Sequence, residues 1–323
     1  MTTPPVLPIA PDDIDDARKR IAPFVSVTPI MTSQVLDERF GVALHFKCEN
    51  FQKIGAFKAR GAHNAVFSLT DAEASRGVIT HSSGNHAAAL ALAARNRGIP
   101  AYVVMPSNSS PAKIASVRRL GGIITFCEPA TAAREATAEA VRAKTGAALV
   151  HPFDDPRVIA GQGTCAREFL EQVPTLDGLY APLGGGGLLA GTAIAARENQ
   201  PRLRVFGIEP AGADDGFRSF QTGQRQPQPH PHTIADGLRT AVGEVNFLIL
   251  RSLVSDIFTV EEASIVAAMR LIWEVLKIVV EPSSAVVLAA LLEGKRPADC
   301  RRLGLILSGG NVDLDALPWM VKA

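Results

Sequence analysis

The alternation of short β-branched segments with alanine-rich segments of helical length most constrains how this chain can fold. Strands are predicted over residues 43–47, 77–80, 101–105, 123–127, 148–151, 178–183, 204–208, 256–260 and 303–307. Helices are predicted over residues 85–97, 112–120, 132–144, 157–171, 188–197, 261–277 and 282–292. Parallel neighbours need a crossover segment, so strands that alternate with helices form parallel sheets covered on both faces. The pattern predicts an α/β protein, and Thr259 with Glu262 predicts a capping box at the head of the helix near residue 261.

Composition and charge exclude several classes of protein. The 323 residues are 47% hydrophobic and 20% charged, enough for a buried core in about two domains. The net charge of +1 gives no basic field for nucleic acid or anionic lipid, and neither a signal peptide nor a membrane span is evident. The cysteines form no CxxC pair, so we expect reduced thiols in a cytoplasmic protein rather than disulfides or zinc. They are Cys48, Cys127, Cys165 and Cys300.

A run of four glycines, residues 184–187, stands between a predicted strand and a predicted helix. Glycine lets the backbone turn its N–H groups toward one anion, and the helix N-terminus adds a favourable dipole, so the run predicts a phosphate site. Taken alone, a flexible connector explains it equally well. A third interpretation is a dinucleotide fingerprint, because Gly185, Gly187 and Ala190 satisfy G-x-G-x-x-A and Glu209 follows at the required distance. That interpretation predicts a nicotinamide-dependent oxidoreductase.

Three further clusters carry candidate chemistry. Lys58 lies among small and apolar residues within the segment 55–61, where a partly desolvated amine can form a Schiff base with an aldehyde. The segment 81–86, His-Ser-Ser-Gly-Asn-His, offers hydroxyls, an amide and backbone N–H groups to a carboxylate, although a simple helix cap would look the same. The segment 307–311 places Ser308 after the last predicted strand, where its hydroxyl can face a neutral ring nitrogen; otherwise the segment is a turn.

Together these clusters resemble one family. The segments AFKARGA, THSSGNHA, APLGGGGLLAG and LSGGNVDL occur in the order seen in fold-type II pyridoxal phosphate enzymes, which have a tryptophan synthase β-like α/β fold. Within that group the chain is similar to the serine racemase and serine/threonine dehydratase family, close to the 3-hydroxyaspartate dehydratases, from about Ile21 to Asp313. A nicotinamide enzyme accounts only for the glycine run and Glu209, and a non-enzymatic binding module does not need the lysine, so both rank below.

The resemblance implies a lobed organisation and a reaction. Residues 1–73 and 151–323 would form a large cofactor-binding lobe, and residues 74–150 a small substrate-closing lobe, with pyridoxal phosphate in the cleft of a homodimeric enzyme. The reaction would be β-elimination of water from L-serine, L-threonine or 3-hydroxyaspartate, giving a 2-oxo acid and ammonia. Serine or aspartate racemisation is an additional activity that the resemblance leaves open.

The resemblance also implies roles for individual residues. Lys58 would carry the cofactor and act as base, and Ser83 would face the opposite side of the substrate α-carbon. The remaining cofactor contacts would come from Phe57, Asn85, Gly184, Gly185, Gly186, Gly187, Gly237 and Ser308. The substrate would contact Ser82, Ser83, Asn85, His86, Arg134 and Thr240.

Two of these expectations concern a metal and the substrate side chain. Glu209, Asp215 and the backbone carbonyl of Ala213 are oxygen donors that suit a structural Mg²⁺ or Ca²⁺, although a solvated acidic turn would explain them without the resemblance. Arg134 stands where serine racemases and hydroxyaspartate dehydratases of the family also carry an arginine, which implies a dicarboxylate substrate such as 3-hydroxyaspartate, because a guanidinium can bind a carboxylate with two hydrogen bonds. Without the resemblance, an exposed charge on a helix would explain it. Thr240 would bind the substrate hydroxyl.

Overall fold

Ten strands and thirteen α-helices make up the part of the chain that the computed structural model describes, residues 7–82 and 84–320 without the side chain of Thr131. The strands are β1 (Ile30–Met31), β2 (Ala43–Cys48), β3 (Val78–His81), β4 (Ala101–Pro106), β5 (Ile123–Cys127), β6 (Ala148–Leu149), β7 (Gly178–Pro182), β8 (Arg204–Pro210), β9 (Asp256–Val260) and β10 (Arg302–Leu307). The helices are α1 (Pro11–Ile21), α2 (Gln34–Phe40), α3 (Lys58–Phe67), α4 (Asp71–Ala74), α5 (Asn85–Arg97), α6 (Pro111–Arg119), α7 (Thr131–Thr145), α8 (Pro156–Gln172), α9 (Gly187–Asn199), α10 (Asp215–Thr222), α11 (Glu244–Leu253), α12 (Glu262–Leu276) and α13 (Pro282–Leu292).

The larger sheet has six strands in the order β1-β2-β10-β7-β8-β9. Only the β1–β2 pair is antiparallel, and β10 lies between β2 and β7 although it comes last in the chain. Helices cover both faces, and the central strands β7 and β10 are almost fully buried. Burial on two faces explains why these strands are continuous apolar runs rather than alternating ones.

The smaller sheet has four parallel strands in the order β5-β4-β3-β6, built from residues 78–149. The cluster of alanines on α5 packs against it together with α3. The α/β class and the two parallel sheets predicted from the sequence are confirmed. The division into units at residues 73 and 151 stays a prediction, because it concerns which parts of the chain move together.

The predicted capping box at Thr259 is wrong. Thr259 belongs to β9, where it pairs with Glu209 of β8, and α12 begins three residues later with Glu261 as its N-cap. The carboxylate of Glu262 instead accepts a hydrogen bond from the backbone of Ile234 at 2.8 Å. Strand pairing therefore outweighed a local capping signal, as tertiary contacts commonly do.

The carboxyl ends of the parallel strands gather the segments that the sequence marked. Ser308 follows β10, the glycine run follows β7, and Ser82 follows β3. Ligands of open α/β sheets bind outside these ends, so a site is expected at the carboxyl ends of the strands in the two sheets. The four cysteines are free thiols, and no helix in the ranges described above is long and apolar enough to span a membrane.

Candidate active site

Lys58 is the first residue of α3, and its amine lies in a desolvated position. Nζ donates a hydrogen bond to the carbonyl oxygen of Pro152 at 2.8 Å and lies 5.1 Å from the centre of the Phe57 ring. Desolvation lowers the pKa of the Lys58 amine to about 8, and the nearby carboxylate of Glu281 opposes that shift. An amine with this pKa is partly neutral near pH 8 and can attack an aldehyde.

The glycine run forms a cradle of unpaired backbone donors. Gly184, Gly185 and Gly186 are buried, yet their N–H groups find no acceptor among the described residues. Buried N–H groups almost always have a partner, so an anion from outside the chain would complete them. A Cβ on Gly185 would lie 2.2 Å from the Phe153 ring, and one on Gly184 would lie 3.1 Å from the carbonyl oxygen of Gly237. Side chains at these two positions would therefore fill the cradle. Their absence leaves the cradle open, as a bound phosphate requires.

The loop 151–153 joins the amine to this cradle. Pro152 accepts from Lys58 and Phe153 packs on Gly185, so the two features belong to one site. Nδ1 of His151 accepts a hydrogen bond from the backbone of Asp154 at 2.8 Å, and desolvation with the neighbouring His81 lowers the pKa of His151 to about 4. His151 is thus a neutral imidazole beside Lys58. His151 is not among the site residues predicted from the sequence.

Asn85 is held by two residues that sequence reasoning did not assign. Its Nδ2 donates to both carboxylate oxygens of Glu281, at 3.0 and 3.1 Å, and its Oδ1 accepts from Nδ2 of Asn311 at 2.9 Å. Desolvation and the charge of Asp236 raise the pKa of Glu281 to about 7. A single glutamate between the apolar runs 278–280 and 285–292 was the signal that could have identified it.

Ser308 contacts the backbone of the residue that precedes Lys58. Its carbonyl oxygen accepts a hydrogen bond from the backbone of Phe57 at 3.0 Å, and its buried Oγ lies 3.1 Å from Oγ of Ser284. Gly237 donates to Oγ of Ser283 at 3.0 Å. Ser308 therefore lies beside the backbone of Phe57, and Gly237 lies beside Gly184 of the glycine run.

The predicted substrate residues differ in burial and in hydrogen bonding. Ser82 accepts from the backbone of Gly84 at 3.3 Å, and desolvation lowers the pKa of the buried His86 well below its usual value. Nδ1 of His86 is buried without a partner in the described ranges. Thr240 is exposed, and no hydrogen bond connects its hydroxyl to the described site. Ser83 lies outside the described residues, so its role stays a prediction.

Arg134 lies on α7 beside the carboxyl ends of β3 and β5. Burial lowers the pKa of His81 and raises that of Cys127, and the charge of Arg134 acts on both groups. The Nε atom of Arg134 is buried and has no hydrogen-bond partner within residues 7–82 and 84–320. A buried guanidinium donor without an acceptor is costly, which is expected where a ligand supplies the acceptor.

Glu209 and Asp215 are buried carboxylates away from Lys58. A carboxylate oxygen of Glu209 accepts from the backbone of Phe217, and one of Asp215 accepts from Val242 at 2.8 Å. Desolvation raises the pKa of Glu209 well above its usual value and that of Asp215 to about 6. In the described ranges no lysine or arginine forms an ion pair with either, and no three His, Cys, Asp or Glu side chains converge as a metal site. Two carboxylates and the backbone of Ala213 suit a hard cation.

Fold and site together define a class of α/β enzyme that combines a desolvated lysine with a glycine anion cradle at one sheet edge. The chain belongs to the family of pyridoxal-phosphate dependent enzymes, which matches residues 21–309. The family predicted from the sequence is thereby confirmed, and the phosphate interpretation of the glycine run is favoured over the dinucleotide one.

Similar proteins cover nearly the whole chain. The beta-hydroxyaspartate dehydratase of Paracoccus denitrificans is 52% identical over 308 residues, which are 95% of this chain and 98% of that protein. The L-threo-3-hydroxyaspartate ammonia-lyase of Saccharomyces cerevisiae is 46% identical, over 96% of this chain and 95% of that protein. The solved structure of maize serine racemase superposes with a TM-score of 0.94 at 46% identity and covers 95% of each chain.

Proposed function

We propose that this protein holds pyridoxal phosphate on Lys58 and eliminates water from 3-hydroxy amino acids, with 3-hydroxyaspartate as a principal substrate. The observation that supports the proposal is a desolvated Lys58 amine that donates to Pro152, directly before Phe153, whose ring packs on the glycine run. The N–H groups of Gly184, Gly185 and Gly186 in that run have no acceptor among the described residues. The similarity to a hydroxyaspartate dehydratase and a hydroxyaspartate ammonia-lyase supports this substrate.

Five segments would hold the cofactor. Lys58 would bond its aldehyde carbon, residues 184–187 its phosphate, Asn85 its ring hydroxyl, and Ser308 its ring nitrogen. Phe57 and Gly237 would lie beside the ring. When bound, pyridoxal phosphate stabilises negative charge on the α-carbon of an attached amino acid.

The chain itself supplies proton transfer and substrate contacts. The Lys58 amine removes the α-proton, which its lowered pKa favours near neutral pH. Ser308 and Ser284 offer neutral hydroxyls rather than a carboxylate, so nothing in this pair would hold a proton on the ring nitrogen. Negative charge would then stay near the α-carbon, which favours loss of the β-hydroxyl as water with a proton from a nearby acid. Hydrolysis of the released enamine gives the 2-oxo acid and ammonia.

The substrate would lie between the segment 82–86 and α7. Ser82, Asn85 and His86 would bind its α-carboxylate, Arg134 its distal carboxylate, and Thr240 its β-hydroxyl. Ser83 would transfer a proton on the face opposite Lys58, which only racemisation requires.

The holoenzyme tests the function directly. Incubation with 3-hydroxyaspartate should release ammonia and oxaloacetate at a kcat/KM at least comparable with that for L-serine or L-threonine. Chiral analysis of the same reactions with serine would detect racemisation. Absence of ammonia from all three substrates would refute the proposal.

The rate at which the apoprotein captures pyridoxal phosphate should depend on pH through the Lys58 amine. With a pKa of about 8, about half of the amine is neutral at pH 8, whereas an ordinary lysine would be less than about 1% neutral. The capture rate should therefore rise up to about pH 8 and then level. Stopped-flow absorbance would measure it, and Glu281→Gln should move the midpoint to lower pH because the opposing charge is lost. A rate that still rises tenfold per unit above pH 9 would contradict the assignment.

We further propose that Glu209, Asp215 and the carbonyl of Ala213 hold a structural Mg²⁺ or Ca²⁺. Binding to the folded state at a hundredfold excess over Kd adds about 2.7 kcal/mol, so chelation should lower the Tm by roughly 5 °C. Differential scanning fluorimetry with and without chelator would show this, and either cation should restore the Tm.

Asp215→Ala should abolish that response, whereas Asp214→Ala should keep it. Asp214 is the neighbouring acid, and it already pairs with Arg218 at 2.8 Å. If chelator leaves the Tm of the parent protein unchanged, the metal site is refuted.

The assembly and location are also proposals. We expect a homodimer, which sedimentation velocity would test against a monomer of 34.2 kDa. The four free thiols support a reducing compartment such as the cytoplasm, which localisation of the tagged protein would test.

A further inference from the structure

Asn246, on the first turn of α11, is a fully buried amide that contacts the glycine run. Its Nδ2 donates to the carbonyl oxygen of Gly185 at 2.7 Å and to that of Phe153 at 3.0 Å. Its Oδ1 is buried and has no partner in the described part of the chain. The opposite amide orientation would press Oδ1 against both carbonyl oxygens, so the two donor contacts determine the orientation. An unpaired buried acceptor is costly and calls for an explanation.

The contact with Gly185 determines where the next N–H group points. The carbonyl oxygen of Gly185 is held by Nδ2 of Asn246 and also by the backbone of Gly243, at 3.1 Å. In a planar trans peptide the carbonyl and the following N–H point in opposite directions. The N–H of Gly186 therefore points away from α11, and it is one of the cradle donors that has no acceptor among the described residues.

Gly186 itself depends on this arrangement. Its φ is +96°, a conformation that other residues rarely adopt, and a Cβ there would lie 2.9 Å from Cβ of Asn246. The close approach of α11 leaves the peptide no room to rotate toward the helix.

A second anchor fixes Asn246 relative to the loop. The carboxylate of Asp154 accepts from the backbone N–H groups of Glu244, Val245 and Asn246, at 2.9, 3.0 and 3.2 Å. Asp154 directly follows Phe153, whose ring packs on Gly185 and whose carbonyl oxygen is the other acceptor of Nδ2. These contacts hold together the start of α11, the loop 152–154 and the glycine run.

We infer that Asn246 is a positioning residue for the anion cradle, which orients the Gly185–Gly186 peptide so that its N–H meets the cofactor phosphate. The inference rests on the proposed role of residues 184–187. It predicts that Asn246 affects binding of the phosphate group and leaves binding of the aldehyde and the ring largely unaffected.

Pyridoxal, which has the aldehyde but no phosphate, separates these contributions. The dissociation constants of pyridoxal phosphate and pyridoxal would be measured on the apoprotein by absorbance, for the parent, Asn246→Ala and the milder Asn246→Ser. Loss of the Gly185 and Phe153 contacts should weaken pyridoxal phosphate binding by roughly ten- to a hundredfold. Pyridoxal binding should change by less than about threefold.

A control variant removes the amide of Asn199, the last residue of α9, which begins at Gly187 of the glycine run. Asn199→Ala loses a contact from Nδ2 to the carbonyl oxygen of Ala195 at 2.8 Å and should leave both dissociation constants unchanged. Equal weakening of both ligands in a folded Asn246 variant, or no weakening of either, would overturn the inference. If the parent apoprotein itself binds the two aldehydes equally, the cradle assignment fails instead.

Discussion

Lys58→Ala should lower kcat/KM for ammonia release by at least about a thousandfold on every 3-hydroxy amino acid. The same amine would anchor the cofactor and move the α-proton, and loss of a proton-transfer group alone typically costs a hundred- to ten-thousandfold. The fold should survive, because the one hydrogen bond that Nζ makes to the described residues goes to Pro152. Ammonia release and Tm would be measured together.

Lys53→Ala is the matched control, because Lys53 is an exposed lysine on the same segment and should be dispensable. Reduction of the parent holoenzyme with borohydride should place a pyridoxyl group on the peptide that contains Lys58. Labelling confined to another lysine, or near-normal activity of Lys58→Ala, would show that the assignment is wrong.

Arg134→Ala should lower kcat/KM for 3-hydroxyaspartate by roughly ten- to a hundredfold. A charge-assisted hydrogen bond is worth about 1.5–3 kcal/mol. Nε of Arg134 lies near His81 and has no partner in the described part of the chain, so it is available to make such a bond. L-threonine has no distal carboxylate, so its kcat/KM should change by less than about threefold. Steady-state kinetics on the two substrates give the ratio that tests this.

Arg142→Ala serves as the control on the same helix. Arg142 is exposed and pairs with Glu139 at 3.1 Å, so its loss should leave both substrates unaffected. A uniform loss on both substrates in Arg134→Ala would indicate a structural role for Arg134. The enzyme would then be a serine/threonine dehydratase without a dedicated dicarboxylate site.

A buried network of charged residues includes Arg60, two positions after Lys58, and shows why such variants need controls. Arg60 is buried on α3 and pairs with Glu49 at 2.8 Å and with Glu168 at 3.1 Å, and Lys47 also donates to Glu168. Removing one member would leave a buried charge without its partner, which costs several kcal/mol. Substitutions at Arg60 would therefore report on folding, whereas Lys58 and Arg134 lie outside this network.

Periodicity and strand ends allowed much of the site to be predicted from the sequence. All nine predicted strands occur, because runs of apolar residues that alternate with helical segments have few ways to bury both faces. Parallel strands of one sheet share a carboxyl edge, so the segments after β7 and β10 could be expected to meet. The segment after β3 belongs to the other sheet, and only the resemblance to the family assigned it to the same site. In the structure, residues 152–153 link Lys58 to the glycine run and Ser308 contacts the backbone of Phe57, although the chemical roles of these residues stay predictions.

What the sequence by itself determined was the class of fold and the segments at its functional edge, because both depend on local pattern and on motifs. Tertiary structure alone decided how those segments are held. Glu281 accepts a hydrogen bond from Asn85, although the two residues are far apart in the chain. Asp154 caps α11, which begins 90 positions later at Glu244. Contacts between residues so far apart leave no periodic signal, since each depends on where the packed sheets place the two partners. At Thr259 a local signal was present but wrong, because strand pairing in the folded protein overrode the helix-capping pattern.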